Sequence, residues 1–240
     1  MVYVVSDVHG HNRELMALLE QVRFSDSDTL ILDGDLTDKG PDPVDVVNFA
    51  MNAPNVVTLL GNHDMMAVDS ITGALNAGVD SVSPLWEMNA GKHTYEKFRM
   101  EGEAFIREYL RWMSGRELCA VYTLGSRTFL ITHAGVDLTG LEKEPSIDPM
   151  AVLRTMDMQD IVWNRYAETL AFLPKIRSKL TMTVVCGHTP TYCIDRRAAG
   201  RIIVMPNLIC MDCGAAYNEP WSRLGCIRLD DLAEFYENLK

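Results

Sequence analysis

Residues 1–10 read MVYVVSDVHG, a short β-branched and aromatic run that stops at Asp7, His9 and Gly10. Such a run is a buried-strand signal, and the switch to Asp, His and Gly marks a tight turn at its end. The same pattern recurs twice nearby. Residues 29–32 are apolar and run into Gly34-Asp35-Leu36-Thr37-Asp38, and residues 56–60 run into Gly61-Asn62-His63-Asp64. Between these runs, residues 12–24 place Leu15, Leu18, Leu19 and Val22 at helical spacing, and residues 43–51 place Val44, Val47 and Ala50 on one side. Strand, helix, strand, helix, strand predicts a mostly parallel α/β layer, because parallel neighbours need crossover connections.

Further along, residues 65–117 lose the strand pattern; a stretch containing Gly, Ser and Asn (73–83) leads into segments suited to helices. Residues 118–124 and 127–132, joined by Gly125-Ser126, predict a β-hairpin, since a two-residue link containing Gly suits a tight turn. Residues 150–165 read as helix and 183–186 as strand, and the remainder reads as short strands punctuated by Gly200, Pro206, Gly214 and Gly225. At 240 residues the chain predicts one elaborated domain, 1–240, with a helical insertion at about 65–117.

Composition narrows the function. Apolar residues at 48% and charged residues at 23% are ordinary globular values, which exclude a disordered tail, a collagen-like repeat and a small disulfide scaffold. With 22 Lys+Arg against 33 Asp+Glu the net charge is −11, so broad coating of DNA or RNA is not expected. No apolar run approaches the roughly 18 residues a membrane span requires. No signal-peptide core is visible, and the chain is expected to be cytoplasmic with its six cysteines, including Cys210-Met-Asp-Cys213, reduced.

Every strong polar cluster follows an apolar strand, and His133-Ala-Gly135 and Gly187-His188-Thr189 extend the set. Carboxyl ends of strands in an open α/β sheet converge on one crevice, so residues far apart in sequence can meet there. The set offers two carboxylates (Asp7, Asp35), an amide oxygen (Asn62) and three imidazoles (His9, His133, His188) as ligands. His63 and Asp38 remain as acid–base partners. Mixed nitrogen and oxygen donors suit borderline divalent ions such as Mn, Fe or Zn. Six ligands exceed one open tetrahedral site and match two ions sharing a carboxylate. Gly10, Gly34, Gly61, Gly135 and Gly187 flank these residues, where a sharp turn or close backbone approach excludes a Cβ. Four of the six histidines fall in such turns.

The ordered set DxH, GDxxD, GNH(D/E), HAG and GHT resembles the calcineurin-like metallophosphoesterase superfamily, closest to its protein-phosphatase-like branch. That branch includes the lambda phage protein phosphatase and the symmetric diadenosine tetraphosphate hydrolases. The resemblance implies a four-layer α/β/β/α metallophosphoesterase sandwich. It implies that Asp7, His9 and Asp35 hold one metal, and that Asp35 bridges to a second held also by Asn62, His133 and His188. The two ions, manganese first and iron or zinc next, would activate water and clamp phosphoryl oxygens for in-line attack. His63 would protonate the leaving oxygen with Asp38 orienting it. Lys39 stands where the branch usually has Arg, a point charge in place of a planar fork, and Asp64 stands where Glu is common. Arg165, in Trp163-Asn164-Arg165, resembles a second phosphate-contacting arginine.

The resemblance thus implies a hydrolase of phosphomonoesters, a serine/threonine protein phosphatase first and a dinucleoside polyphosphate hydrolase as the alternative. A metal-stabilised binding module without catalysis has no need of His63 and Asp38. Metal charge dominates its local field, so the acidic surface does not exclude a phosphorylated protein or small phosphoester as substrate. His11 is expected to be a polar residue of the loop or of the first helical turn, and Asp33 and Asp212 ordinary turn carboxylates. Trp86, His93 and Tyr95 are expected to pack the insertion, although an adenine platform there would serve the alternative.

Overall fold

Strand alternation sets the layers. The computed structural model describes residues 1–157 and 159–239. Strands β1 (Val2–Ser6), β2 (Thr29–Asp33) and β3 (Val56–Leu59) pair in parallel in that order, joined by helices α1 (Asn12–Gln21) and α2 (Pro43–Asn52). Strands β9 (Arg223–Arg228) and β10 (Ala233–Asn238) add antiparallel beside β1, completing a five-stranded sheet in the order β10-β9-β1-β2-β3. The second sheet runs β4-β5-β6-β8-β7, built from β4 (Cys119–Leu124), β5 (Arg127–Thr132), β6 (Thr183–Cys186), β7 (Ile203–Met205) and β8 (Leu208–Cys210). Within it β5, β6 and β8 are parallel.

Alternate side chains face opposite ways, so the central strands contribute to two cores. Val4, Ile31, Phe129, Ile131, Val185 and Ile209 meet between the sheets. Their neighbours Tyr3, Val5, Leu30 and Leu32 turn outward onto the layer containing Leu15, Leu18 and Val46 of α1 and α2. Leu130, Val184 and Leu208 likewise turn outward beneath helical residues such as Val152, Ala167 and Leu170. Each fully buried aliphatic side chain stabilises the fold by roughly 1.5–3 kcal/mol, and here the alternation buries both faces of the central strands, while Val121 of β4 and Val204 of β7 are exposed at the edges of the second sheet. This is the α/β/β/α layering the family resemblance implied, with each sheet mixed rather than simply parallel.

Between β3 and β4 lie four helices, α3 (Asn62–Ala77), α4 (Pro84–Met88), α5 (Gly91–Glu101) and α6 (Glu103–Met113). They enclose their own core around Trp86, Phe98, Ile106 and Tyr109. Gly73, in the stretch read as leading into the helical segments, itself sits inside α3, which ends at Gly78 in the left-handed conformation (φ 64°). The helix expected over 12–24 closes early: Arg23 is left-handed (φ 54°), and the Phe24 N–H returns to Leu19 O at 2.9 Å.

The single helix expected over 150–165 is a larger correction. Two short helices, Pro149–Leu153 and Asp160–Trp163, stand in its place, and Met158 lies outside the described residues. Thr155 Oγ1 donates to Val152 O (2.8 Å), and Asp157 Oδ1 accepts from the Gln159 N–H (2.8 Å). Such local side-chain bonds compete with the helical ladder. Among the described residues no helix is long and apolar enough to cross a membrane.

Candidate dinuclear metal centre

The carboxyl ends of β1, β2, β3, β5 and β6 deliver Asp7, Asp35, Asn62, His133 and His188 to one place. The backbone there departs from ordinary conformations: Asp7 (φ 52°), His9 (φ 45°), Asp35 (φ 53°), Asp38 (φ 71°), Lys39 (φ 63°) and His188 (φ 60°) are all left-handed. Non-glycine residues reach this region only when the surroundings over-determine them, and such residues concentrate at functional sites. A Cβ on Gly34 would come within 2.6 Å of the Gly61 Cα and 2.7 Å of His133 Nδ1. One on Gly61 would overlap the Asp35 carboxylate, and one on Gly187 would overlap Ser6 Oγ and Asp7 Oδ2. The glycines therefore let carboxylates approach backbone that any larger residue would push away.

Two trios offer ligand atoms that lie within 4.8 Å of one another: His9, Asp35 and His63, and Asp35, His133 and His188. Asp35 is common to both. Asp7 belongs to neither trio; its carboxylate accepts from Ser6 Oγ (2.5 Å) and from the His188 N–H (3.1 and 3.2 Å) while lining the same cavity.

Backbone carbonyls set the imidazole tautomers, because a carbonyl can only accept. His9 Nδ1–H donates to Thr37 O (3.0 Å) and His133 Nδ1–H to Asp33 O (2.8 Å), which leaves each Nε2 turned toward Asp35. His188 donates through Nε2 to Trp163 O (3.2 Å), leaving Nδ1 as its lone-pair donor. At His133 this produces a convergence of acceptors: Nε2 lies 3.2 Å from Asn62 Oδ1 and 3.4 Å from Asp35 Oδ1. Three lone pairs meeting in a buried space require something positive among them, either a proton on His133 or a cation. The donor set therefore fits divalent metal, and its nitrogen and oxygen chemistry fits Mn, Fe or Zn.

Electrostatics follow the same logic. Burial pushes the Asp7 carboxyl up to about 7, against the pull of His133. Burial also opposes charge on Asp35, but His133, His63 and His9 outweigh it and hold that carboxyl well below the usual range. His133 is correspondingly held well above the ordinary histidine value, where Asp35, Asp7 and Asp33 overcome its burial. Burial lowers His9 to about 3, and lowers His188 to about 4 with help from His133 and Arg165. Neutral imidazoles of this kind are ready ligands.

His63 is held differently. Its Nδ1–H donates to Asp38 Oδ2 at 2.6 Å. Trp86 Nε1–H donates to the same oxygen at 2.8 Å, and Thr94 Oγ1–H donates to Oδ1 at 2.6 Å. Asp38 is thus a fully buried carboxylate with three donors, two of them from α4 and α5. Burial works against charge on His63, but Asp35 and Asp38 raise its pKa above the ordinary value. Asp64 also acts from beneath, accepting from the N–H groups of Asp35 (2.8 Å), Leu36 (3.1 Å) and Gly61 (3.0 Å), and burial holds it at about 7.

Above these groups opens a cavity of ≈ 510 Å³ lined by Asp7, His9, Asp35, Asn62, His63 and His188, with Lys39 and Arg165 on its wall. His133 lies beneath it, fully buried. The structure therefore brings together every residue the motifs singled out. Sequence reasoning passed over Thr94 and the link from Trp86 to Asp38, for which no local signal exists across such a separation. It read Asp212 as an ordinary turn carboxylate and passed over Tyr217, and both lie on the cavity wall. For Asp212 a signal existed, since Cys210-Met-Asp212-Cys-Gly214 repeats the apolar-run, Asp, Gly pattern of the other strand ends. His11 is buried at the start of α1 with its ring nitrogen against Ala215 O (3.2 Å). Asp33 is buried with both carboxyl oxygens unpartnered.

Comparison with known proteins gives concordant findings. The sequence model of calcineurin-like phosphoesterases matches residues 1–214. A protein named symmetrical bis(5'-nucleosyl)-tetraphosphatase, from Salmonella paratyphi C (strain RKS4594), is 44% identical over 137 residues. That alignment covers 56% of this chain and 43% of the relative, so the match spans less than half of that protein's length. A solved putative diadenosine tetraphosphatase has a TM-score of 0.57 at 20% identity, covering 98% of this chain and 92% of that one. A protein serine/threonine phosphatase from Saccharomyces cerevisiae has a TM-score of 0.60 at 14% identity, covering 98% and 78%. The two structural likenesses establish the fold.

Proposed function

The chain belongs to the calcineurin-like phosphoesterase family, and from that premise we propose that it is a two-metal hydrolase of phosphate linkages acting on a dinucleoside polyphosphate. The observation that carries the hydrolase reading is Asp35, whose carboxylate is common to two compact ligand trios at the floor of one cavity. Asp7 and His9 would hold one ion with Asp35, and Asn62, His133 and His188 the other, manganese being the first choice. Two divalent ions supply Lewis-acid polarisation of the phosphoryl group and a nucleophilic water near neutral pH.

The chain's own residues supply the remaining steps. Lys39 and Arg165 face phosphate oxygens from the cavity wall, Arg165 as a planar fork and Lys39 as a point charge. With Nδ1–H held by Asp38, His63 presents Nε2 to the cavity and delivers its proton to the leaving oxygen. Asp38 fixes the ring and favours its charged form.

The substrate class rests on the relative named symmetrical bis(5'-nucleosyl)-tetraphosphatase. The His63–Asp38 pair supports a second reading, a phosphoserine or phosphothreonine protein phosphatase, because an alkoxide leaving group needs a proton more than a polyphosphate does. Initial rates with added Mn²⁺ on diadenosine tetraphosphate, a phosphoserine peptide and p-nitrophenyl phosphate separate the two. The first substrate is expected to lead. A leading phosphopeptide would install the second reading, and no turnover of any substrate would remove the hydrolase.

A further inference from the structure

A substrate with nucleoside ends needs more than phosphate contacts. The aromatic residues of the helical segment do not offer an open face to the cavity: Trp86 is 0% exposed with its N–H committed to Asp38, and Tyr95 is 9% exposed against it. The aromatic side chains on the cavity wall are Trp163 and Tyr217.

Tyr217 is both exposed and held. The residue is 45% exposed, and its ring packs against Tyr192 (centroids 5.7 Å apart) and Trp221 (6.0 Å), which themselves meet at 4.8 Å. Trp221 is seated beneath Gly214, where any Cβ would overlap the indole. The short turn Ala215–Tyr217 lies between left-handed Gly214 (φ 85°) and Asn218 (φ 56°), and Asp212 Oδ1 anchors it by accepting from the Gly214 N–H (2.8 Å). A ring backed by two others and fixed by its turn loses little freedom when a planar ligand covers it. Arg165 lies on the same wall, close enough for its charge to act on both His188 and Tyr217.

We propose that Tyr217, backed by Tyr192 and Trp221, is the platform on which a nucleobase of the substrate stacks while Arg165 meets the adjoining phosphates. This rests on the dinucleoside polyphosphate reading and assigns its specificity to a particular side chain. Stacking is sequence-tolerant because every base has a π-face, so the subsite recognises a nucleotide without selecting one base strongly.

Competition against p-nitrophenyl phosphate hydrolysis by the Mn²⁺-loaded protein tests it, with AMP and ribose 5-phosphate as probes that differ only by the base. In the unmodified protein AMP is expected to inhibit about tenfold more tightly than ribose 5-phosphate, equivalent to about 1.4 kcal/mol. Tyr217→Ala should bring that ratio near one, whereas Tyr217→Phe, which keeps the ring, should preserve it. Equal inhibition by the two probes in the unmodified protein overturns the proposal, as does an unchanged ratio in Tyr217→Ala. The ratio is read whether or not diadenosine tetraphosphate is hydrolysed. Loss of that turnover with the ratio intact would therefore count against the substrate reading alone.

Discussion

Replacing Asp38 with Asn isolates what its charge does for His63. The Asp38 carboxylate accepts three bonds in a space water does not reach: His63 Nδ1–H and Trp86 Nε1–H on Oδ2, and Thr94 Oγ1–H on Oδ1. An asparagine with its oxygen at the Oδ2 position keeps both N–H donors, and its NH₂ faces Thr94 Oγ1, a hydroxyl that can turn and accept. The imidazole therefore keeps its orientation and tautomer while losing the adjacent negative charge. General acid catalysis contributes about 10²–10⁴-fold, of which loss of the charge alone should forfeit about 10–100-fold, or about 1.4–2.7 kcal/mol of barrier. That loss should be seen in kcat for an alkyl phosphate, whose leaving oxygen needs the proton. It should shrink to less than about threefold for p-nitrophenyl phosphate, a good leaving group. The pH profile carries a second signature. Asp38 helps raise the His63 pKa, and the acid is active while protonated, so removing the charge should start the alkaline decline at a lower pH. Equal losses on both substrates, or an alkaline limb that does not move down, would refute His63 as the acid and Asp38 as its electrostatic support.

Asp35→Asn should lower metal affinity at both positions by more than about a hundredfold, beyond what loss of an outer hydrogen-bond partner costs, because both trios share that carboxylate. Metal analysis of the purified variant decides this, and two retained ions per chain would sink the shared-ligand assignment. Metal-free protein should lose stability as pH rises toward about 7. Burial raises Asp7, Asp33 and Asp64 to about 7 in the folded state, so they favour folding while protonated and withdraw that support as they ionise. Mn²⁺ at about a hundred times its Kd at pH 8 should add about 2.7 kcal/mol there, or about 5–10 °C in Tm, and the same concentration should add less at pH 5, where protons compete for the ligands. A Tm that rises with pH after chelation, or a larger metal shift at pH 5, would contradict this.

The strand-end motifs were legible because they are local. A buried strand needs consecutive apolar residues, and a ligand at its end needs a polar residue beside a glycine, so both appear within ten residues of sequence. The helix over 150–165 was misread because its periodicity is genuine while its interruption depends on side-chain bonds by Thr155 and Asp157 that compete with the ladder. The platform at Tyr217 was missed for a different reason. An aromatic residue in a turn looks like surface until Tyr192 and Trp221 are found behind it.

By itself the sequence determined the alternation of strands and helices, the donor types offered at the strand ends and the order in which those candidate residues enter, since periodicity and residue type are properties of short segments; the layering came from the family resemblance. Only the tertiary structure decided which groups share a space. It set Asp35 between two trios, turned His133 onto Asp33 O so that lone pairs converge, and drew Trp86 and Thr94 from the helical segment onto Asp38. These relations arise from packing between elements dozens of residues apart, and burial there converts ordinary carboxylates and imidazoles into groups that demand a cation or hold a proton.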